Sequence, residues 1–148
     1  MALLVGAPSR LKSHMKTCRE LGFGERHVSV VERDSRTYAA LEKERSRQGL
    51  ACTIHRMPMS QYLKHNKVGF LGFDALGFDA DARRTLKQAF QQKLAYFSCT
   101  FHTRRSPKKR IWKFLKKVFR GYLIWERPYR GKGHSPMVQF IFRSEQRI

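Results

Sequence analysis

The feature that most constrains the fold is a short apolar run, Val28–Val31, that ends on a carboxylate, Glu32. Its β-branched residues favour a buried strand. A second apolar strand, Ala2–Val5, precedes it and runs into the turn Gly6-Ala-Pro-Ser9. In a doubly wound sheet the first turn approaches a ligand, and an acid after the second strand holds a ribose hydroxyl. The pattern therefore indicates an α/β fold that binds a nucleoside or nucleotide.

Predicted strands and helices alternate along the chain. Five strand–helix units are followed by two strands without a helix between them, and the connection over 127–136 is typical of a loop. Two strands joined in this way form an antiparallel hairpin. The sequence thus predicts one domain over 1–148, with strands over 2–5, 28–31, 51–55, 68–74, 94–100, 122–125 and 137–142, and helices over 10–21, 35–48, 59–63, 79–92 and 107–119.

The charge is the anomaly in the composition. The 31 Lys and Arg against 11 Asp and Glu give a net charge of +20. A surface this basic attracts polyanions, of which nucleic acid is the commonest; an anionic membrane surface or a polyanionic assembly is the alternative. No apolar run approaches the roughly 20 residues that span a bilayer, and no signal peptide is recognisable.

The cysteines and histidines predict neither a disulfide framework nor a metal site. Cys18, Cys52 and Cys99 are odd in number and widely spaced, and the six histidines show no metal-ligand spacing. We expect a reduced, cytoplasmic-type protein whose thiols are buried in the core, Cys99 among them.

The order of elements, with acids at the ends of the second and fourth strands, resembles the class I S-adenosylmethionine-dependent methyltransferases. The resemblance implies a three-layer Rossmann-like fold, with a mostly parallel seven-stranded sheet and an antiparallel last strand, and S-adenosylmethionine as cofactor. It aligns the family's cofactor-binding positions with residues of this chain: the glycine-rich loop with Gly6, Ala7, Pro8 and Ser9, the ribose-binding acid with Glu32 followed by Arg33, and the adenine contact with Arg56, Met57 and Pro58.

The segment Asp74-Ala-Leu-Gly77 falls at the family's catalytic motif after the fourth strand. It resembles a degenerate form of the Asp-Pro-Phe-Gly of tRNA guanine-N2 methyltransferases, which makes Asp74 the candidate catalytic residue, orienting or deprotonating the acceptor. The departures are a single early glycine, Ala75 in place of proline, and no Asp/Asn-Pro-Pro-Tyr motif. For Glu32 the alternative interpretations are an exposed strand-end acid or part of a helix-capping cluster with Asp34. For Asp74 the alternative is a cap of the next turn. We favour the site for both residues.

A dense basic run begins the helix that precedes the hairpin. Together with an aromatic residue and arginines of the predicted hairpin loop, it is the candidate nucleic-acid-binding surface. Its members are Arg104, Arg105, Lys108, Lys109, Arg110, Lys113, Lys117, Arg120, Arg127, Tyr129 and Arg130.

Two functions remain open at this point. The first is an S-adenosylmethionine-dependent methyltransferase acting on nucleic acid, RNA rather than DNA. The second is the same fold without catalysis, serving as a basic nucleic-acid-binding or virion component. A nicotinamide-dinucleotide protein is disfavoured because the glycine fingerprint is missing and a hairpin closes the chain. A minimal domain of this kind also leads us to expect self-association or a partner subunit.

Overall fold

The computed structural model describes residues 2–4, 10–75, 77–104, 106–130 and 136–145; for 2–4 and 128–130 the description covers the backbone. Strands and helices alternate as predicted and end in a hairpin. Their order is β1 (Ala2–Leu4), α1 (Leu11–Glu20), β2 (Ser29–Glu32), α2 (Ser35–Gln48), β3 (Thr53–Arg56), α3 (Met59–His65), β4 (Leu71–Ala75), α4 (Ala80–Gln91), β5 (Tyr96–His102), α5 (Lys108–Val118), β6 (Tyr122–Arg130) and β7 (Pro136–Ser144), with a 3-10 turn at Glu25–His27.

The strands form one sheet in the order β3-β2-β1-β4-β5-β7-β6. Strands β1 to β5 pair in parallel. Strand β7 lies between β5 and β6 and is antiparallel to both. The predicted α/β arrangement with an antiparallel last strand is therefore confirmed. The strand order reverses between β1 and β4, and open α/β sheets bind ligands at the carboxyl ends of the strands beside such a switch point.

Helices pack on both faces of the sheet around two apolar clusters. Helices α1 and α2 cover one face, where Val30 and Leu41 are fully buried. Helices α3, α4 and α5 cover the other face, where the rings of Phe97 and Phe142 stack with centroids 4.2 Å apart. Adjacent residues Val30 and Val31 belong to different clusters, because successive side chains of a strand point to opposite faces.

Local sequence signals set several helix ends. The Asp34 carboxylate accepts the backbone N–H of Thr37 at 2.8 Å and caps α2. Gly49 ends that helix in the left-handed region, at φ 63°, where only glycine is unstrained. Asp79 caps α4 by accepting the N–H of Ala82 at 2.8 Å.

The predicted hairpin loop is shorter than expected. Arg127, Tyr129 and Arg130 lie in strand β6, whose pairing with β7 continues to the Arg130–Pro136 pair. Sequence pattern suggested a break at Pro128, but β6 is an edge strand, where proline is tolerated because the lost N–H is not needed by a neighbour. The placement of these three residues in a loop was wrong.

The last helix ends one residue before the predicted position 119. Helix α5 ends at Val118, and Arg120 lies in the following turn before Gly121, which adopts φ 79°. Arg120 therefore does not continue the helical face of Lys113 and Lys117. Within the described part of the chain, no helix is both long and apolar enough to cross a membrane.

Candidate functional site

Glu32 is the last residue of β2 and lies at the carboxyl edge of the sheet. It is 7% exposed, and its Oε1 accepts the backbone N–H of Asp34 at 2.9 Å. Burial raises the pKa of Glu32, while the backbone N–H groups of Asp34 and Arg33 act in the opposite direction. The backbone thus orients a partly desolvated carboxylate. A carboxylate has about four acceptor positions, so this group can accept further hydrogen bonds from a diol.

The segment after β3 lies directly beside Glu32. Arg56 pairs with Glu32 in the parallel register, and the N–H of Met57 donates to the Glu32 carbonyl at 3.2 Å. The Met57 side chain is half-buried against the larger core. Pro58 precedes α3 and occupies its N-cap position. The structure therefore brings Glu32, Met57 and Pro58 together at one edge. The other predicted cofactor contacts, Gly6, Ala7, Pro8 and Ser9, lie outside the described residues.

Arg33 forms a long-range ion pair that the sequence did not reveal. Its Nη2 lies 3.1 Å from Oδ2 of Asp79, the residue that caps α4. Strand β1 lies between β2 and β4 in the sheet, so this pair links the connections on either side of β1. Arg33 was predicted to contact the cofactor; here its charge is directed at Asp79. The 46 residues between the partners explain why no local pattern signals the pair.

Asp74 lies in β4, as predicted, but the strand runs from Leu71 to Ala75 and so ends one residue later than predicted. The strand continues because Ala75 is buried and pairs with Phe101 of β5. The Asp74 side chain is 26% exposed, and its Oδ2 lies 3.9 Å from Nη1 of Arg10. Burial raises the pKa of Asp74, and electrostatic interactions with Arg10 and His102 oppose that shift.

Arg10 and His102 are functional candidates that sequence reasoning missed. Arg10 is the N-cap residue of α1, and His102 is the last residue of β5. Both positions adjoin the carboxyl edge, one before the helix that follows β1 and one at the end of a parallel strand. Both residues could have been recognised from the sequence, because polar residues at the carboxyl ends of parallel strands come together at one edge of the sheet.

Cys99 is a buried strand thiol, as expected. It is 1% exposed, and burial raises its pKa well above the ordinary value, so the thiol stays protonated. A thiolate is the nucleophilic form, and this environment disfavours it. Among the residues that the structure covers, no group of three or more His, Cys, Asp or Glu side chains could hold a metal ion.

Helix α5 presents a basic surface opposite its buried side. Ile111 and Leu115 are fully buried in the core. The cations on the other side are exposed, and the helix sequence contains no acid. Because α5 follows β5, its first turn lies at the carboxyl edge that holds Glu32 and Asp74. The described exposed cations of this surface are Arg104, Lys109, Arg110, Lys113, Lys116, Lys117 and Arg120.

One predicted member of the basic surface is already neutralised. The Lys108 Nζ lies 2.6 Å from Oε1 of Glu126 on β6, and Trp112 donates its ring N–H to Oε2 at 2.8 Å. Lys108 therefore offers less free charge than its neighbours. Arg127 is exposed on β6, whereas Arg105 and the side chains of Tyr129 and Arg130 lie outside the described part of the chain.

The fold matches solved methyltransferase structures over nearly the whole chain. No protein-family model matches the sequence, and a search of curated proteins gave no significant match. A Clostridium thermocellum protein provisionally described as an rRNA methylase superposes with a TM-score of 0.72, 11% identity and coverage of 97% of this chain and 88% of the other. An rRNA methylase from Streptococcus thermophilus superposes with a TM-score of 0.68 at 7% identity, and the match covers 98% of this chain and 87% of the other.

A third similar structure contains a ligand. The N-terminal domain of human METTL16, in complex with S-adenosylhomocysteine, gives a TM-score of 0.67 at 11% identity and covers 99% of this chain and 61% of its own. At these identities the likeness concerns the fold. Strand order, the antiparallel β7 and these superpositions agree: the chain has the class I methyltransferase fold.

Proposed function

We propose that this protein is an S-adenosylmethionine-dependent methyltransferase that acts on nucleic acid, and on RNA rather than DNA. The observation that carries the proposal is the buried, backbone-oriented carboxylate of Glu32 at the end of β2. In doubly wound folds an acid at this position binds ribose hydroxyls. The similar structures support the proposal, because two are described as rRNA methylases and another contains S-adenosylhomocysteine.

The described residues fit such a cofactor. Glu32 supplies acceptors for a ribose diol, and half-buried Met57 beside it supplies apolar surface for a base. The cofactor would supply a methyl group on a positively charged sulfonium. The chain's own contribution is to position the acceptor for in-line transfer, and proximity and orientation supply much of the rate in such reactions.

Asp74 is the proposed positioning and proton-accepting group. Its carboxylate lies on the β4 strand beside the switch point, and burial raises its pKa. A raised pKa makes a carboxylate a better proton acceptor than it is in water. The positive charge of Arg10, 3.9 Å away, opposes that rise and favours the ionised form.

The basic surface of α5 is the proposed contact for the phosphates of the substrate. The first turn of α5 carries cations, although the helix dipole favours anions at a helix N-terminus. Among the described residues, Glu126 is the acid that pairs with one of these cations, Lys108. Phosphates would relieve this repulsion. Each neutralised phosphate also releases counterions, which favours binding at low salt.

A second candidate is the same fold without catalysis, a basic nucleic-acid-binding or virion component. Two observations favour it: Asp74 is already engaged by Arg10, and Ala75 stands where the related motif has proline. Calorimetry with S-adenosylhomocysteine separates the candidates. Micromolar binding, followed by transfer of labelled methyl groups from S-adenosylmethionine to RNA that Asp74→Asn abolishes, supports the enzyme. Tight RNA binding without cofactor binding supports the second candidate.

A further inference from the structure

Among the described residues, helices cover only one face of strands β5, β7 and β6. The inward-facing residues of β5 and β7, such as Phe97 and Phe140, pack against the side of α3, α4 and α5. The cluster under α1 and α2 contains no described residue of β5, β6 or β7. The alternate positions of these strands point away from those helices. Two of them, Thr100 and Met137, are buried. We define the open face by the exposed members: Tyr96, Leu123, Trp125, Arg127 and Arg143.

Among the described residues, the open face holds most of the large apolar side chains that are exposed. Trp125 is 46% exposed, Tyr96 42% and Leu123 37%, and these are three of the five large apolar side chains found exposed among the described residues. Contiguous exposed apolar side chains of this kind mark binding sites more often than isolated ones do. The face is continuous, because Tyr96 pairs with Arg143 and Arg143 with Leu123 across the three strands.

The aromatic rings of the open face are accompanied by cations. The Arg143 guanidinium lies 5.4 Å from the centre of the Trp125 ring, and Arg127 is exposed two residues further along β6. Tyr96 stacks against Phe70 with centroids 5.8 Å apart. None of the described positions of β5, β6 and β7 that point to this side is an acid.

The positive charge of the open face favours nucleic acid over a second copy of this chain as its binding partner. A second copy of this chain would bring Arg127 and Arg143 against the same residues of its partner, in a protein of net charge +20, and like charges brought together at an interface oppose association. A polyanion with planar rings satisfies both features, because bases stack on aromatic side chains while arginines contact phosphates.

We propose that the open face binds single-stranded nucleic acid, with bases stacked on Trp125 and Tyr96 and phosphates held by Arg127 and Arg143. This proposal rests on the proposed function, which identifies the substrate as nucleic acid. It adds that the bound segment of the substrate is unpaired. A duplex hides the faces of its bases inside the stack, so it cannot use these rings.

The register connects the open face to the candidate site. Asp74 pairs with Thr100, Thr100 with Gln139, and Gln139 with Arg127. Paired residues point to the same side of a sheet, so Asp74 and Arg127 share a face three strand spacings apart, about 14 Å. A strand lying across β6, β7 and β5 would thus lead a nucleotide toward Asp74.

The experiment measures binding of a fluorescein-labelled single-stranded RNA oligonucleotide by anisotropy across a salt series. Trp125→Ala should weaken binding about 5- to 150-fold, since stacking on one aromatic residue is worth about that much, and should leave the salt slope unchanged because no charge is lost. Trp125→Phe should restore most of the affinity. Leu21→Ala, which removes a side chain that is 45% exposed at the C-terminal end of α1 and lies outside the three strands of the open face, is the matched control and should bind like wild type.

A second readout keeps the test independent of folding. The chain has two tryptophans, so in a Trp112→Phe variant the fluorescence comes from Trp125 alone, and unlabelled single-stranded RNA should quench it while duplex RNA should not. Absence of quenching, or wild-type affinity in Trp125→Ala, overturns the proposal. So does a wild-type dimer, seen by sedimentation, that Trp125→Ala dissociates without changing RNA affinity.

The cofactor test separates this proposal from the one it rests on. If the wild type binds S-adenosylhomocysteine but Trp125→Ala binds RNA normally, the open-face proposal alone fails. If the wild type does not bind S-adenosylhomocysteine but Trp125→Ala weakens RNA binding, the methyltransferase proposal alone fails.

Discussion

Replacing Glu32 by glutamine tests the cofactor proposal with little disturbance of the fold. Glutamine keeps an oxygen that can accept the Asp34 N–H now held at 2.9 Å, so the local turn is retained. The negative charge and one acceptor oxygen are lost. Hydrogen bonds to charged groups contribute about 1.5–3 kcal/mol, so the Kd for S-adenosylhomocysteine should rise about 10- to 150-fold. Titration calorimetry at neutral pH measures this directly.

The pKa of Glu32 supplies the control for folding. Burial raises this pKa in the folded state, so the folded protein holds the proton more tightly than the unfolded chain does. The contribution of Glu32 to stability is therefore greatest at low pH and is lost as pH rises through the folded-state pKa. At neutral pH, Glu32→Gln should melt at or above the wild-type temperature.

A matched variant and a clear contrary result complete this test. Glu20→Gln changes an exposed acid whose partner, Lys16, lies 3.9 Å away on α1, and it should leave the Kd unchanged. A folded Glu32→Gln protein that binds S-adenosylhomocysteine as tightly as wild type would show that Glu32 does not hold the ribose.

Three further predictions concern charge and packing. Because burial raises the pKa of Asp74, Asp74→Asn should raise the Tm at neutral pH, with the difference vanishing below the ordinary pKa of an aspartate; a constant difference across pH contradicts this. Reversing Lys113, Lys117 and Arg120 to glutamate should weaken RNA binding and flatten the slope of log affinity against log salt by about 2 to 3. Phe97→Ala should lower the free energy of unfolding by about 3–5 kcal/mol in urea titration, since its fully buried ring leaves a cavity.

The charge-reversal prediction has a matched control on the other face of the molecule. Lys12, Lys16 and Lys43 are exposed on α1 and α2, and reversing them removes the same amount of positive charge. If both triple variants lose RNA affinity equally, net charge alone attracts the nucleic acid and α5 has no special role.

The order of elements and several caps followed from the sequence because local chemistry determines them. Asp34, Gly49 and Asp79 act within a few residues, and a hydrophobic period shows which side of a helix is buried. The end of β4 was wrong because the burial of Ala75 depends on its partner Phe101 in β5. The pattern of apolar residues within one segment does not show which residues of another strand will pair with it.

The candidate site was predictable only in part for the same reason. Glu32 and Met57 adjoin because consecutive parallel strands are neighbours, which the sequence order implies. The Arg33–Asp79 and Arg10–Asp74 pairs join segments far apart in the chain. The open face could not be predicted at all, since it depends on which strands the helices leave uncovered.

Proline at position 128 has a consequence for how this protein behaves at high concentration. Strand β6 is nine residues long and forms one border of the sheet, where a long strand invites another chain to add its own strand. Pro128 cannot donate a backbone hydrogen bond, and Arg127 beside it adds charge. The opposite border, β3, has only four residues. Both borders therefore resist the strand-by-strand growth of aggregates, and a Pro128→Val variant should aggregate faster than wild type in light-scattering measurements.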